Sequence, residues 1–187
     1  MGENMINGKQ ILAIIPARGG SKGVPRKNIK PLAGRPLIFY TINEAKKSKY
    51  IDRIVVSTED AEIKQVAINC GAEVVDRPQE LAGDLATTPD CMMHVVNTLK
   101  EKENYTCDWT ILLQITTPFR TAEDMDKALE LMDKGRNGVL PTSVVSIHEA
   151  PQKSNPYWVR KIVDGKMQTY IDGAAPHLMR QELPRCV

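Results

Sequence analysis

No two cysteines of this sequence stand close together. Cys70, Cys91, Cys107 and Cys186 form no C-x-x-C pair, which argues against a zinc site and against a thioredoxin-type motif. They read as reduced thiols, partly in the core, of a protein in a reducing compartment. His94, His148 and His177 lack metal-ligand spacing, and His94 reads as a structural residue of a helix. No apolar run approaches the length of a membrane span, so no membrane partner is expected. The first ten residues are polar and lack the hydrophobic stretch of a signal peptide. Ile6 stands where the myristoylation pattern that begins at Gly2 needs Ser or Thr. The expected location is cytoplasmic. Excess charge is missing too: 25 Lys and Arg against 23 Asp and Glu leave +2, too little to argue for nucleic acid. There is no internal repeat, low-complexity tract or disordered linker.

What is present is ordinary globular material, 42% hydrophobic and 26% charged in 187 residues, enough for one domain spanning 1–187 with a small appendage. Ile11–Ile15 is a continuous apolar run closed by Pro16, as in a strand buried on both faces. Pro36 can open a helix in which Ile38, Ile42 and Ala45 share a face. Arg53–Ser57 reads as a second buried strand. Ile63, Val66, Ala67 and Cys70 follow at helical spacing, with Gly71 as the stop. Ala72–Val75 is a short third strand. Thr88 reads as an N-cap with Pro89 behind it, opening a helix with Met92, Val95, Val96 and Leu99 inward. Trp109–Ile115 is a further buried strand. Thr121 and Asp124 cap a helix whose stripe is Met125, Leu129 and Met132, and Gly138–Ile147 reads as one more strand. Alternation of strand and helix predicts an α/β fold with a mainly parallel sheet.

The rhythm changes over 151–175. Tyr157–Val163 and Lys166–Ile171 are strand-like and flank Asp164-Gly165, a strong hairpin signal. A hairpin carrying Trp158, Val159, Ile162, Val163, Met167, Tyr170 and Ile171 has more apolar surface than it can hide alone. It reads as a subunit-contact arm, or else as a hairpin packed on its own domain.

The chemistry concentrates after the first strand. Arg18, Lys22, Arg26, Lys27 and Lys30 crowd one loop with no acid among them. Its place at a strand's carboxyl end is where open α/β sheets bind ligands. Gly19, Gly20 and Gly23 let backbone N–H groups approach an anion. Ser21 adds a hydroxyl, Lys22 and Lys27 can neutralise phosphate oxygens, and Arg18 can hold them with two donors. The order of residues excludes a Walker A loop, because Lys22 precedes Gly23 rather than following it. Gly20-x-x-Gly23 fits half of the dinucleotide fingerprint, but Arg18 holds the first glycine position, which disfavours an NAD-dependent dehydrogenase. The residues point to a triphosphate; a basic loop left to solvent is the alternative.

Ile15-Pro16-Ala17-Arg18-Gly19-Gly20-Ser21-Lys22-Gly23-Val24-Pro25-Arg26-Lys27-Asn28-Ile29 resembles the signature of the N-acylneuraminate cytidylyltransferases, a family that includes enzymes activating legionaminic and pseudaminic acids. The resemblance continues through Val56-Ser57-Thr58-Glu59-Asp60, Arg77-Pro78 with Glu80-Leu81-Ala82 and Asp84, Leu113-Gln114-Ile115-Thr116-Thr117-Pro118-Phe119-Arg120, and Arg180-Gln181-Glu182-Leu183-Pro184. CMP-Kdo synthetases fit less well, since their first loop lacks the Gly-Gly-Ser-Lys-Gly run.

The resemblance implies a three-layer, Rossmann-like nucleotidyltransferase fold with a β-hairpin dimerisation arm, and a homodimer. It implies transfer of CMP from CTP to the anomeric hydroxyl of a nine-carbon 2-keto acid sugar, with Mg²⁺ on the phosphates and pyrophosphate as product. By position, Arg18, Gly19, Ser21, Lys22, Lys27 and Asn28 would bind the nucleotide, with Arg77 and Thr88 near the base and ribose. Gln114 and Arg180 would meet the sugar, and Arg180, Lys27 and Arg18 would be catalytic. Gln114 ends a buried strand, where its amide needs a partner. The family often has serine at position 86, and Ala86 cannot supply that hydroxyl. The family's pattern runs on past Val187 to the aspartates that hold the metal. Asp84, Asp90 and Asp172 are not assigned that role, and a polypeptide ending at Val187 is expected to lack efficient catalysis and to leave a sheet edge exposed. The alternatives are a protein that binds CTP without turning it over, and a nucleotidyltransferase for a different sugar.

Overall fold

The computed structural model describes residues 6–21, 23–83, 85–147, 156–157 and 159–171. The chain divides into two compact units, Met1–Val144 and Val145–Val187.

In the first unit, β1 (Ile11–Pro16) takes in the whole apolar run and is one of the two inner strands of the sheet. A small hairpin of β2 (Pro31–Leu32) and β3 (Arg35–Pro36) follows the basic loop and leads into α1 (Leu37–Lys47). Then come β4 (Arg53–Thr58), α2 (Ala61–Asn69), β5 (Glu73–Asp76), α3 (Thr88–Glu103), β6 (Trp109–Leu112) and α4 (Ala122–Lys134). The strand order is β5-β4-β1-β6, with every pair parallel. The chain therefore builds outward from β1 on one side, then returns to place β6 on the other.

Successive β1 side chains point to opposite faces, and both faces are covered. Ala13 and Ile15 pack with Ile38, Ile42 and Ala45 of α1, Ile63 and Ala67 of α2, and Met125 of α4. Leu12 and Ile14 face the other way, onto Val95 and Leu99 of α3. Burial of a single Ile or Leu side chain contributes about 1.5–3 kcal/mol, which explains why β1 contains no polar side chain. The result is the three-layer arrangement expected.

Local signals place the helix ends. Asp60 caps α2 by accepting from the Ile63 N–H at 2.9 Å, and that helix runs out at Gly71, whose φ is 79°. Thr121 and Asp124 form a reciprocal capping box on α4. Three expectations need correction. Pro36 is the N-cap of α1 rather than its first residue. The cap of α3 is Thr87, not Thr88: Asp90 lies at N3 of Thr87 and its carboxylate accepts back from the Thr87 N–H at 3.2 Å. Over Gly138–Ile147 there is no strand, only an isolated bridge between Arg136 and Val139. Val139, Leu140, Val145 and Ile147 are exposed. The run is apolar enough for a strand, but no neighbouring strand among the described residues takes its backbone hydrogen bonds.

In the second unit, β7 (Arg160–Val163) and β8 (Lys166–Thr169) form the expected hairpin, antiparallel with Val163 opposite Lys166. The two turn residues, Asp164 (φ 49°) and Gly165 (φ 72°), both take positive φ, the condition that makes Asp-Gly a hairpin turn. The strands are shorter than the sequence suggests. Trp158 lies outside the described residues.

Candidate active-site cleft

Because β1 lies between β4 and β6, the loops after β1 and β6 diverge at the carboxyl end of the sheet. A crevice opens at such a switch point. Here it is a cleft of about 490 Å³, lined by Pro16, Arg18, Ser21, Val24, Lys27 and Asn28 from the first loop. Arg77 follows β5, Thr88 and Cys91 belong to the start of α3, and Gln114, Ile115 and Thr116 follow β6.

The basic loop is folded by its own polar groups. Asn28 is buried, and its Nδ2 donates to the Arg18 carbonyl at 2.9 Å, tying the loop's end to its beginning. Arg18 Nη1 donates to the Gly83 carbonyl at 3.3 Å, bringing the segment before α3 over the cleft. Lys27 opens a turn of 3₁₀ helix (Lys27–Ile29), lines the cleft and makes no ion pair among the described residues. Arg26 does not share this outlook. It takes the left-handed conformation (φ 55°), and its guanidinium pairs with Asp60 and Glu62. Those two acids hold its proton more firmly than usual, and Arg26 in return holds the Asp60 carboxyl down to about 2.

Among the described residues, Arg77 is the most deeply set cation of the cleft. Only 7% of it is exposed. Its Nε donates to Ser57 Oγ at 3.0 Å and its Nη2 to the Ser57 carbonyl at 2.7 Å. Cys91 Sγ lies 3.4 Å from the same Oγ. Among the described residues no carboxylate pairs with Arg77. A buried guanidinium is costly unless its donors are met. Two of its five N–H donors are spent on Ser57, and the rest are available to acceptors in the cleft.

Of the residues expected to bind substrates, Arg18, Ser21, Lys27, Asn28, Arg77, Thr88 and Gln114 line this one cleft. Gly19 does not. Its N–H donates to Glu59 Oε1 at 2.7 Å instead of facing an anion. Gln114 is exposed, two residues past the end of β6, so its amide projects where ligand or water can reach it and carries no burial penalty. The Gln114 backbone carbonyl accepts from Arg120 Nη2 at 3.3 Å, and burial pushes the Arg120 guanidinium down. Ala86 lines the cleft without a hydroxyl, as its sequence position implied. Lys22 and Arg180 lie outside the described residues. Ser57, the anchor of Arg77, was given no role from sequence; its signal was a hydroxyl residue at the end of an apolar strand. Among the described residues no group of three or more His, Cys, Asp or Glu side chains could hold a metal ion.

These features define a parallel α/β protein whose switch-point cleft is lined by fixed cations, the class that holds nucleotide phosphates. Residues 12–184 match the family model described as cytidylyltransferase, and the chain belongs to that family. It is 35% identical over 181 residues to a protein of Campylobacter coli named post-translational flagellin modification protein B, covering 95% of this chain and 73% of that one. It is 40% identical to the CMP-N,N′-diacetyllegionaminic acid synthase of Legionella pneumophila, covering 82% of this chain and 63% of that enzyme. Its fold resembles that of a CMP:2-keto-3-deoxy-manno-octonic acid synthetase solved with CTP, with a TM-score of 0.57 at 23% identity over 68% of this chain and 49% of the other.

Proposed function

We propose that this chain carries the nucleotide-binding cleft of an enzyme that transfers CMP from CTP to the anomeric hydroxyl of a nonulosonic acid, releasing pyrophosphate. The observation that carries the reading is the set Arg18, Lys27 and Arg77 around one switch-point cleft, with no carboxylate lining it among the described residues. The reaction needs that set. The sugar's anomeric oxygen forms a bond to the α-phosphorus as the bond to the bridging oxygen breaks. Pyrophosphate departs with that electron pair, and the hydroxyl proton passes to water. Negative charge builds on the phosphate oxygens, and fixed donors aimed at them stabilise the transition state. Arg18 and Lys27 take the phosphates, Arg77 and Thr88 the cytidine side, and Gln114 the sugar, with Arg180 as a further sugar contact. Mg²⁺ would neutralise phosphate oxygens when bound.

The same reading includes a cytoplasmic homodimer formed through the β7–β8 hairpin. Ile162 and Met167 stand directly opposite each other on that hairpin and are 79% and 75% exposed. An apolar pair left in water is a candidate contact.

The test is pyrophosphate release with CTP, UTP, ATP or GTP against N-acetylneuraminate, legionaminic and pseudaminic acids. Release with CTP and one of these acids is the expected result. CTP binding without release would favour the reading of a nucleotide-binding protein without turnover. Absence of both would end the proposal.

A further inference from the structure

Two adjacent acids, Glu59 and Asp60, lie directly behind the basic loop, and neither lines the cleft. Their presence is paradoxical on charge alone. A carboxylate near a triphosphate opposes binding, so any benefit must come from geometry. That geometry is specific. Glu59 Oε1 accepts from the Gly19 N–H at 2.7 Å at the start of the loop. Asp60 takes the Arg26 guanidinium near its end, with Nη2 to Oδ1 at 2.9 Å. Asp60 cannot yield, because the same Oδ1 also caps α2 through Ile63. The loop is closely fitted to this pair: a Cβ added to Gly19 would lie 2.6 Å from Asp60 Oδ2. Both acids follow β4, whose Ser57 carbonyl accepts from the Ala17 N–H at 2.9 Å. The loop is thus fastened to a single rigid strand end along its rear, while Arg18, Ser21, Val24 and Lys27 face the cleft.

We propose that Glu59 is a positioning residue for the nucleotide: by fixing the Gly19 peptide from behind, it sets the direction in which the neighbouring Arg18 and Ser21 address the phosphates. This rests on the reading of the cleft as a triphosphate site. Asp60 and Arg26 hold the other end of the same arch. A second Glu59 oxygen, Oε2, is buried without a hydrogen-bond partner among the described residues, so the attachment to Gly19 rests on Oε1 alone.

The sign of one measurement decides the matter. Removing a negative charge beside an anion site should tighten anion binding if the carboxylate acts through its charge, and weaken it if the carboxylate acts as a clamp. The experiment is calorimetric titration of the full chain with sodium tripolyphosphate and, separately, with CTP. The variants are Glu59→Ala, Glu59→Gln and Asp126→Ala. The last removes a buried carboxylate that accepts from Ser48 and Lys49, and reports the effect of general destabilisation. Glu59→Ala is expected to weaken both ligands about tenfold, since loosened catalytic and binding geometry is costly even at ~1 Å displacement. Glu59→Gln keeps an acceptor oxygen for Gly19 and should remain within about twofold of wild type, as should Asp126→Ala. Unchanged or tighter binding by Glu59→Ala overturns the proposal. So does Glu59→Gln binding as weakly as Glu59→Ala, or Asp126→Ala weakening binding as much. If wild type takes tripolyphosphate but not CTP, the cytidine reading falls and the clamp is judged on tripolyphosphate. If wild type takes neither, both fall.

Discussion

Ser57→Ala isolates the forces that hold Arg77. The substitution removes one oxygen from a residue with no exposed surface. It takes away the acceptor of the Arg77 Nε–H and the partner of the Cys91 thiol, and leaves the Ser57 carbonyl, 2.7 Å from Nη2, in place. A hydrogen bond to a charged group contributes about 1.5–3 kcal/mol net when its loss strands a buried donor. For a chain of this size, about 2–4 °C per kcal/mol puts the fall in melting temperature at roughly 3–12 °C. Replacing Arg77 by Met removes the guanidinium and keeps an apolar stem, so Ser57 then loses two donors, one at Oγ and one at its carbonyl, and no charge is left behind. Each single change should be costly. The double change should cost less than the sum by about 1.5–3 kcal/mol, because nothing charged remains to be stranded. Urea denaturation of the four proteins measures this cycle. Additivity within about 0.5 kcal/mol would refute the claim that the two residues act as a unit.

The other predictions are briefer. Thr87→Ala should destabilise by about 1 kcal/mol by removing the α3 cap, while Thr88→Ala should not, which corrects the sequence expectation by experiment. Asp60→Asn should flatten the acid limb of the stability profile. The native carboxyl is held at about 2 against an ordinary 3.8, so its contribution is full above about 4 and is lost as the pH falls toward about 2. With Arg26 40% exposed and Asp60 20% exposed at the side chain, screening reduces that contribution to about 1 kcal/mol; a wild-type minus mutant difference that does not shrink below pH 4 would contradict the assignment. Gly19→Ala should cost about 1–3 kcal/mol, since its Cβ would meet Asp60 Oδ2 at 2.6 Å, and Asp60→Ser should relieve part of that cost. If the proposed dimer forms through the hairpin, wild type should sediment as a dimer and Ile162→Asp as a folded monomer; a monomeric wild type would refute the proposal.

Some of this was legible in the sequence because a single element carried the information. Ile11–Ile15 reads as a doubly buried strand on its own, and so it is. Asp164-Gly165 reads as a two-residue turn on its own, and its dihedral angles agree. The cap of α3 was legible but misread. Thr88 has Cys91 three residues on, which cannot return the hydrogen bond, whereas Thr87 has Asp90, which does. Gly138–Ile147 was not legible, because an apolar run does not reveal whether a neighbouring strand exists to accept its hydrogen bonds.

The site divides along the same line. Which residues gather at the cleft could be read from chain order, since β1 and β6 both deliver their loops to the carboxyl end of the sheet. How much of their charge reaches the cleft could not. Counting bases in the loop treats Arg26 and Lys27 alike, yet one is consumed by Asp60 and Glu62 and its neighbour is not. Those acids lie beyond the β2–β3 hairpin, α1 and β4, 34 and 36 residues further along the chain, and nothing local to the loop announces them. Arg77 shows the reverse. Beside Pro78 it looks like a surface residue, and only the parallel register of β4 and β5, with Ser57 opposite Val75, brings Ser57 beneath it. The field inside the cleft is therefore set by β4 as much as by the basic loop. Ser57 turns a cation inward, Glu59 and Asp60 hold the loop from behind, and Asp60 with Glu62 consumes one of its charges.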